Sequence, residues 1–144
     1  MQLQTLLADF VTELGNPLPG HLEITGIASD TRKLKSGDIF AALQGEHGNS
    51  LVKFAKQAIE KGASAIIYDS NLSEFAQAMP ADKCPIIPVQ NLILHLGAIA
   101  ARFYDHPTDK LDIIGITGTN GKTSCSQFLG QLLNQCGVIG TLGW

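Results

Sequence analysis

The stretch Leu111-Asp112-Ile113-Ile114-Gly115-Ile116-Thr117-Gly118-Thr119-Asn120-Gly121-Lys122-Thr123-Ser124 decides how the chain is read. A short β-branched run suited to a buried strand leads into closely spaced glycines, and Lys-Thr then opens a segment of helical spacing. Each part has its own physical task. The glycines let the backbone turn sharply and bring successive N–H groups close to an anion, and the helix start adds its partial positive charge. Lys122 can reach terminal phosphates as a compact cation, and the Thr123 hydroxyl is placed to ligate Mg²⁺. ATP or GTP is the ligand that this order suits. The spacing is a variant of G-x-x-x-x-G-K-[ST], because Ile116 stands five before Gly121 and the nearest upstream glycines are Gly115 and Gly118. A plain strand-to-helix turn would account for the glycines. It leaves unexplained a lysine at the head of a helix, where a cation opposes the dipole unless an anion is bound.

Downstream of the loop, helical spacing over 122–136 and the apolar run Val138-Ile139-Gly140-Thr141-Leu142 complete a βαβ pattern. Upstream, Thr108-Asp109-Lys110 reads as a polar hinge, so the chain divides into residues 1–106 and the opening 107–144 of a second domain. The first segment alternates helix and strand. Leu3, Leu6, Leu7, Phe10, Val11 and Leu14 predict an amphipathic helix over 2–14, closed by Gly15 and Pro17. Strands are predicted at 22–29, 39–43, 65–68 and 85–89, the last short or at an edge because of Pro85 and Pro88. Helices are predicted from Leu51 to Gly62, over 73–79, and from an Asn91 cap to His106-Pro107. The fold class expected is α/β with a parallel sheet. A doubly wound sheet needs more βα units than follow residue 110, so a piece of a longer protein is expected.

Composition narrows the function classes. Ten Lys plus Arg against thirteen Asp plus Glu give a net charge of −3, with none of the basic excess that nucleic acid or an anionic membrane would require. Cys84, Cys125 and Cys136 lack C-x-x-C spacing and do not suggest a disulfide framework or a zinc site. The start Met1–Phe10 has no cationic signal-peptide character, and no apolar run reaches the length of a membrane span. A soluble, cytoplasmic monomer is expected.

Outside the phosphate loop, Ser29-Asp30-Thr31-Arg32 at a strand end offers two hydroxyls, a carboxylate and a guanidinium, suited to a nucleotide base or sugar. By residue type alone, a turn with a local ion pair explains it better. His47, between Gly45 and Gly48, could approach a ligand, though a solvated loop histidine is the default. Cys125, Phe128, Leu129, Leu132, Leu133 and Cys136 share one helical face and are expected to pack in a core. His21, His95 and His106 show no metal-site spacing.

These residues together resemble a family. Ser29-Asp30-Thr31-Arg32, Ser36-Gly37-Asp38-Ile39-Phe40-Ala41-Ala42-Leu43 with Gly45, and Gly62-Ala63 are similar to the N-terminal domain of the Mur ligases, and Gly115 to Thr123 resembles their ATP loop. Ile139-Gly140-Thr141-Leu142-Gly143 points within the family to the members that add the third stem-peptide residue. The resemblance implies an ATP- and Mg²⁺-dependent ligase that adds diaminopimelate or lysine to UDP-N-acetylmuramoyl-L-alanyl-D-glutamate through an acyl phosphate, in peptidoglycan synthesis. It implies that Gly118, Thr119, Asn120, Gly121, Lys122, Thr123 and Ser124 bind ATP, with Lys122 the catalytic cation and Thr123 on the metal. It further implies that Ser29, Thr31, Glu46, His47 and Gly48 hold the UDP-sugar. The chain departs from the family pattern at Asn49-Ser50, where relatives often have Asp-Gly. The family's modified lysine, further metal ligands and C-terminal domain have no counterpart here, so no turnover by residues 1–144 alone is expected. A sister ligase, or a nucleotide-binding module that performs no acyl transfer, is the alternative.

Overall fold

The computed structural model describes residues 1–11, 18–44, 51–80 and 83–141. They form two units, Met1–Asp109 and Lys110–Trp144.

In the first unit, β1 (Ile27–Ala28), β2 (Ile39–Ala42), β3 (Ala65–Asp69) and β4 (Ile86–Val89) make one parallel sheet in the order β1-β2-β3-β4. Register follows directly: Ile39 lies beside Ala65, Ile66 beside Ile86, and Asp69 beside Val89. Strands alternate faces, and both faces are apolar because helices cover both. On one face Ile39, Ala41, Ala65, Ile67, Ile87 and Val89 pack with Leu3, Leu6 and Leu7 of α1 (Leu3–Leu7) and Leu92 and Ile99 of α4 (Leu92–Phe103). On the other, Ala28, Phe40, Ala42, Ile66 and Tyr68 meet α2 (Leu51–Glu60) through Ala55 and Ala58, and α3 (Ser73–Gln77) through Phe75. Pro88 costs the sheet little because β4 is an edge strand.

Two expected elements are shorter than their patterns. The helix expected over 2–14 is regular only over Leu3–Leu7 and continues as a turn to Val11, with 12–17 outside the described residues. The strand expected over 22–29 is divided. Glu23 instead makes an isolated antiparallel bridge with Gln2, flanked by Leu3 N–H to Leu22 O at 2.9 Å and Ile24 N–H to Met1 O at 2.7 Å. Only Ile27 and Ala28 join the main sheet.

The Ser36-Gly37-Asp38 motif sits at the opposite end of β2 from its carboxyl terminus and is structural. Asp38, 7% exposed, accepts from the Thr25 hydroxyl at 3.2 Å and from the Lys35 N–H at 2.9 Å. A Cβ on Gly26 would lie 2.5 Å from Asp38 Oδ1. Gly37 has φ of +93°, and its N–H donates to the Gly62 carbonyl at 2.9 Å. Gly62, at φ +85°, would place a Cβ 2.7 Å from Ser36 Oγ.

The second unit contains α5 (Lys122–Leu132), preceded and followed by extended backbone. The runs expected as strands, 111–114 and 138–142, form no strand ladder among the described residues. No described residue of 110–141 is fully buried. Phe128, Leu132 and Ile139 are 62%, 78% and 91% exposed, and Cys125 and Cys136 are exposed too, which corrects the expected core face. One helix and two extended runs lack the further layer that would enclose them. Local packing is nevertheless close: a Cβ on Gly130 would meet Val138 Cγ2 at 2.7 Å.

Candidate functional site

Because the strands are parallel, all their carboxyl ends lie at one edge, where open α/β sheets bind ligands. The turn after β1 begins there. Arg32 pairs with Asp30 through Nη2 at 2.7 Å and Nε at 3.0 Å, while the Arg32 N–H donates to Asp30 Oδ1 at 2.9 Å. The hydrogen bonds from the Arg32 side chain, then that from its backbone, lower the Asp30 carboxyl to about 2. The local ion pair suggested by residue type is thus present. Ser29 is exposed, Thr31 is buried, and neither hydroxyl has a hydrogen-bond partner among the described residues. Lys61 Nζ donates to the Thr31 carbonyl at 2.6 Å.

A cavity of about 580 Å³ opens between the start of α2 and α3, lined by Gln44, Leu51, Asn71, Glu74 and Phe75. A second, of about 250 Å³, lies against Gln44, Asp69, Asn71, Leu92 and Ile93. The predicted Glu46, His47 and Gly48 belong to 45–50, outside the described residues. Gln44, Asp69 and Asn71 were not singled out by sequence reasoning. The available signal was position: each is polar and stands at or just beyond the end of an apolar strand.

Asp69 also corrects the expected cap of α4. Asn91 occupies the cap position at φ +50°, in the left-handed region, and its side chain makes no capping bond. Asp69 Oδ2 accepts the Leu92 N–H at 3.0 Å and Oδ1 accepts the Asn71 N–H at 3.1 Å. A carboxylate already holds the positive end of this helix, which makes it a poor seat for a phosphate.

The glycine loop expected to bind phosphate has a different helix start. Gly118 (φ +146°) and Gly121 (φ +77°) take backbone conformations that L side chains rarely adopt, and Gly121 precedes Lys122 as the N-cap without any side-chain cap. The first donor satisfied inside the helix is the Cys125 N–H, on the Gly121 carbonyl at 2.9 Å. The amides of Lys122, Thr123 and Ser124 are therefore the orphan donors of an uncapped N-terminus. Lys122 Nζ folds back to the Gly118 carbonyl at 2.5 Å and the Thr119 carbonyl at 3.4 Å, bringing its charge over the loop that carries Thr119 and Asn120. A Cβ on Gly121 would meet nothing within 4 Å, so the loop has open space beside it. A cavity of about 310 Å³ in this unit reaches the start of α5: Lys122 and Thr123 line it together with Asp112, Ser126, Ile116 and Val138, so its wall is polar as well as apolar.

A parallel α/β layer, followed by a glycine loop that opens onto an uncapped helix, defines the class: an α/β protein of parallel-sheet type. The model of the Mur ligase family, catalytic domain, matches residues 23–104, more than half of the chain and all within the first unit. The chain belongs to the Mur ligase family. It is 42% identical, over 96% of its length, to the UDP-N-acetylmuramoyl-L-alanyl-D-glutamate–2,6-diaminopimelate ligase of Coxiella burnetii. It is 41% identical, over 85% of its length, to the ligase of the same name from Pseudomonas aeruginosa. A solved structure of a ligase of that name superposes with a TM-score of 0.62 and 26% identity, over 92% of this chain and 25% of the other. The chain spans 28% of the length of the Coxiella relative and 25% of the Pseudomonas one. No helix among the described residues is long and apolar enough to cross a membrane.

Proposed function

We propose that the chain is the N-terminal segment of a cytoplasmic, ATP-dependent ligase that joins diaminopimelate to UDP-N-acetylmuramoyl-L-alanyl-D-glutamate. The observation that carries this reading is the 42% identity to a ligase so named, extending over 96% of the chain. In this reading the first unit is the UDP-sugar domain, with Ser29, Thr31 and the loop Glu46-His47-Gly48 as its contacts. The second unit opens the nucleotide-binding domain.

The residues of the loop fit a nucleotide. Donors at the start of α5 have no cap, and a lysine sits where a bound anion would offset its clash with the helix dipole. Gly118 to Ser124 would cradle the phosphates, Lys122 would turn from the loop carbonyls to the terminal phosphate, and the Thr123 hydroxyl would ligate Mg²⁺. That ion, when bound, neutralises charge across the phosphates. The reaction transfers the terminal phosphoryl group to the substrate carboxylate with release of ADP. The amine then attacks the acyl phosphate, phosphate leaves and the amine loses a proton. The protein's part is to position the groups and neutralise the transferring charge.

The test uses the full-length ligase, following ADP release with UDP-N-acetylmuramoyl-L-alanyl-D-glutamate and either diaminopimelate or lysine. Release that requires both the UDP substrate and diaminopimelate is expected. Hydrolysis indifferent to the UDP substrate would instead identify a nucleotide-binding module, and a preference for lysine would identify the lysine-adding type. Residues 1–144 alone are expected to form no tripeptide.

A further inference from the structure

Lys61 stands just past the end of α2, and its ammonium reaches back to the Thr31 carbonyl at 2.6 Å, a separation of 30 residues in sequence. The turn that carries Ser29 and Thr31 is braced internally by the Asp30–Arg32 pair and by the Asp30 carbonyl, which accepts the Lys33 and Leu34 N–H groups at 3.0 and 3.2 Å. Those bonds shape the turn without tying it to a neighbouring element. The Lys61 bond does tie it, and its base is rigid. Gly62 next to it is held at φ +85° against Ser36 Oγ, with its carbonyl on the Gly37 N–H at 2.9 Å. One residue thus connects the fixed opposite end of the sheet to a turn whose two hydroxyls have no partner among the described residues.

We infer that Lys61 is a positioning residue for UDP-sugar binding, holding Thr31 in the conformation that receives the ligand. The inference rests on the proposed reading of Ser29 and Thr31 as substrate contacts. An exposed lysine bonded to one carbonyl adds little to overall stability, since ordering its long side chain offsets most of the gain. Its effect appears where preorganisation counts, in the affinity of a ligand that would otherwise have to order the turn.

The experiment is isothermal titration of the full-length ligase with UDP-N-acetylmuramoyl-L-alanyl-D-glutamate, for wild type, Lys61→Met, Lys61→Arg and Thr31→Val, with a thermal melt of each. Loss of one charge-assisted hydrogen bond in Lys61→Met should weaken binding about fivefold. Lys61→Arg, which can still donate to the carbonyl, should bind within about twofold of wild type, and the melting temperatures of both should move by less than about 2 °C. Unchanged affinity in Lys61→Met, with weakened binding in Thr31→Val, overturns the inference and leaves the substrate reading standing. A loss in Lys61→Met that follows a falling melting temperature and is not restored by arginine also overturns it. No binding by wild type, or Thr31→Val binding as tightly as wild type, sinks the substrate reading and the inference with it.

Discussion

The Asp69 carboxylate, at the end of β3, accepts the Leu92 N–H at 3.0 Å and so caps a helix that begins 23 residues later. Its other oxygen holds the Asn71 N–H, so a single side chain fixes the two backbone segments that border the smaller carboxyl-edge cavity. Replacing Asp69 with alanine should cost ~1–2 kcal/mol, the range of a lost N-cap, while Asp69→Asn should cost less because an amide oxygen can still accept. Urea denaturation of the two variants measures this. Equal stability of Asp69→Ala and wild type would show that the cap carries no weight.

The turn after β1 titrates in a defined window. Asp30 is held at about 2 in the folded chain, chiefly by the Arg32 side chain, against an ordinary value of 3.8. The shift is downward, so the pair's contribution is present above pH 4 and is lost as pH falls through the folded value. Because the pair lies at the surface, salt should weaken it. Carboxyl NMR titration should show Asp30 protonating near pH 2 in wild type and close to its ordinary value in Arg32→Ala. An unchanged midpoint in that variant would rule out the pair as the cause.

The three cysteines should separate by reactivity. Cys84 is 3% exposed, and burial pushes its thiol up to about 11 from the ordinary 9. Cys125 and Cys136 are exposed. At pH 8 a thiol reagent should modify two cysteines quickly and the third only on unfolding. Between pH 9 and 11 the unfolded thiol ionises and the folded one does not, so stability should fall across that interval. Fast modification of all three in the native chain would contradict the buried position of Cys84.

Gly37→Ala tests the knot at the far end of the sheet. The added Cβ would lie 2.6 Å from Thr25 Oγ1 at a φ of +93°. Left-handed strain and the clash together should cost ~2–3 kcal/mol, with a matching fall in melting temperature. A loss under ~0.5 kcal/mol would mean that the knot relaxes freely.

Much of the architecture is legible from residue pattern, and the reasons for the exceptions are specific. The runs 39–43 and 65–68 read as strands because both faces of a covered parallel sheet must be apolar, and the strands found, Ile39–Ala42 and Ala65–Asp69, differ by one residue each. The run 22–29 has the same β-branched content, yet Glu23 pairs with Gln2, a partner that local pattern does not reveal. Asn91 has the composition of a cap, but the capping carboxylate comes from Asp69, distant in sequence and brought near by the β3–β4 pairing. The face from Cys125 to Cys136 has the periodicity of a core, and periodicity says nothing about whether a covering layer is at hand. The turn from Gly118 into the helix at Lys122 is legible because glycine alone readily takes the positive φ that it needs. The Ser36-Gly37-Asp38 motif stands out equally, and its work is to hold the fold together.

Strands that neighbour one another in both sequence and space can join the sheet in the order in which they leave the ribosome. The first helix is enclosed in two stages. Arg102 of α4 donates to the Thr5 and Leu6 carbonyls at 3.3 and 3.2 Å, pairs with Asp9 and lies 4.8 Å from the Phe10 ring centre. Leu3, Leu6 and Leu7 can meet Ile24, Ile39 and Ile67 early, but their cover by Leu92 and Ile99 waits for a segment almost a hundred residues later. During that interval one face of the growing sheet is only half roofed, and a chaperone that holds nascent chains should engage it there.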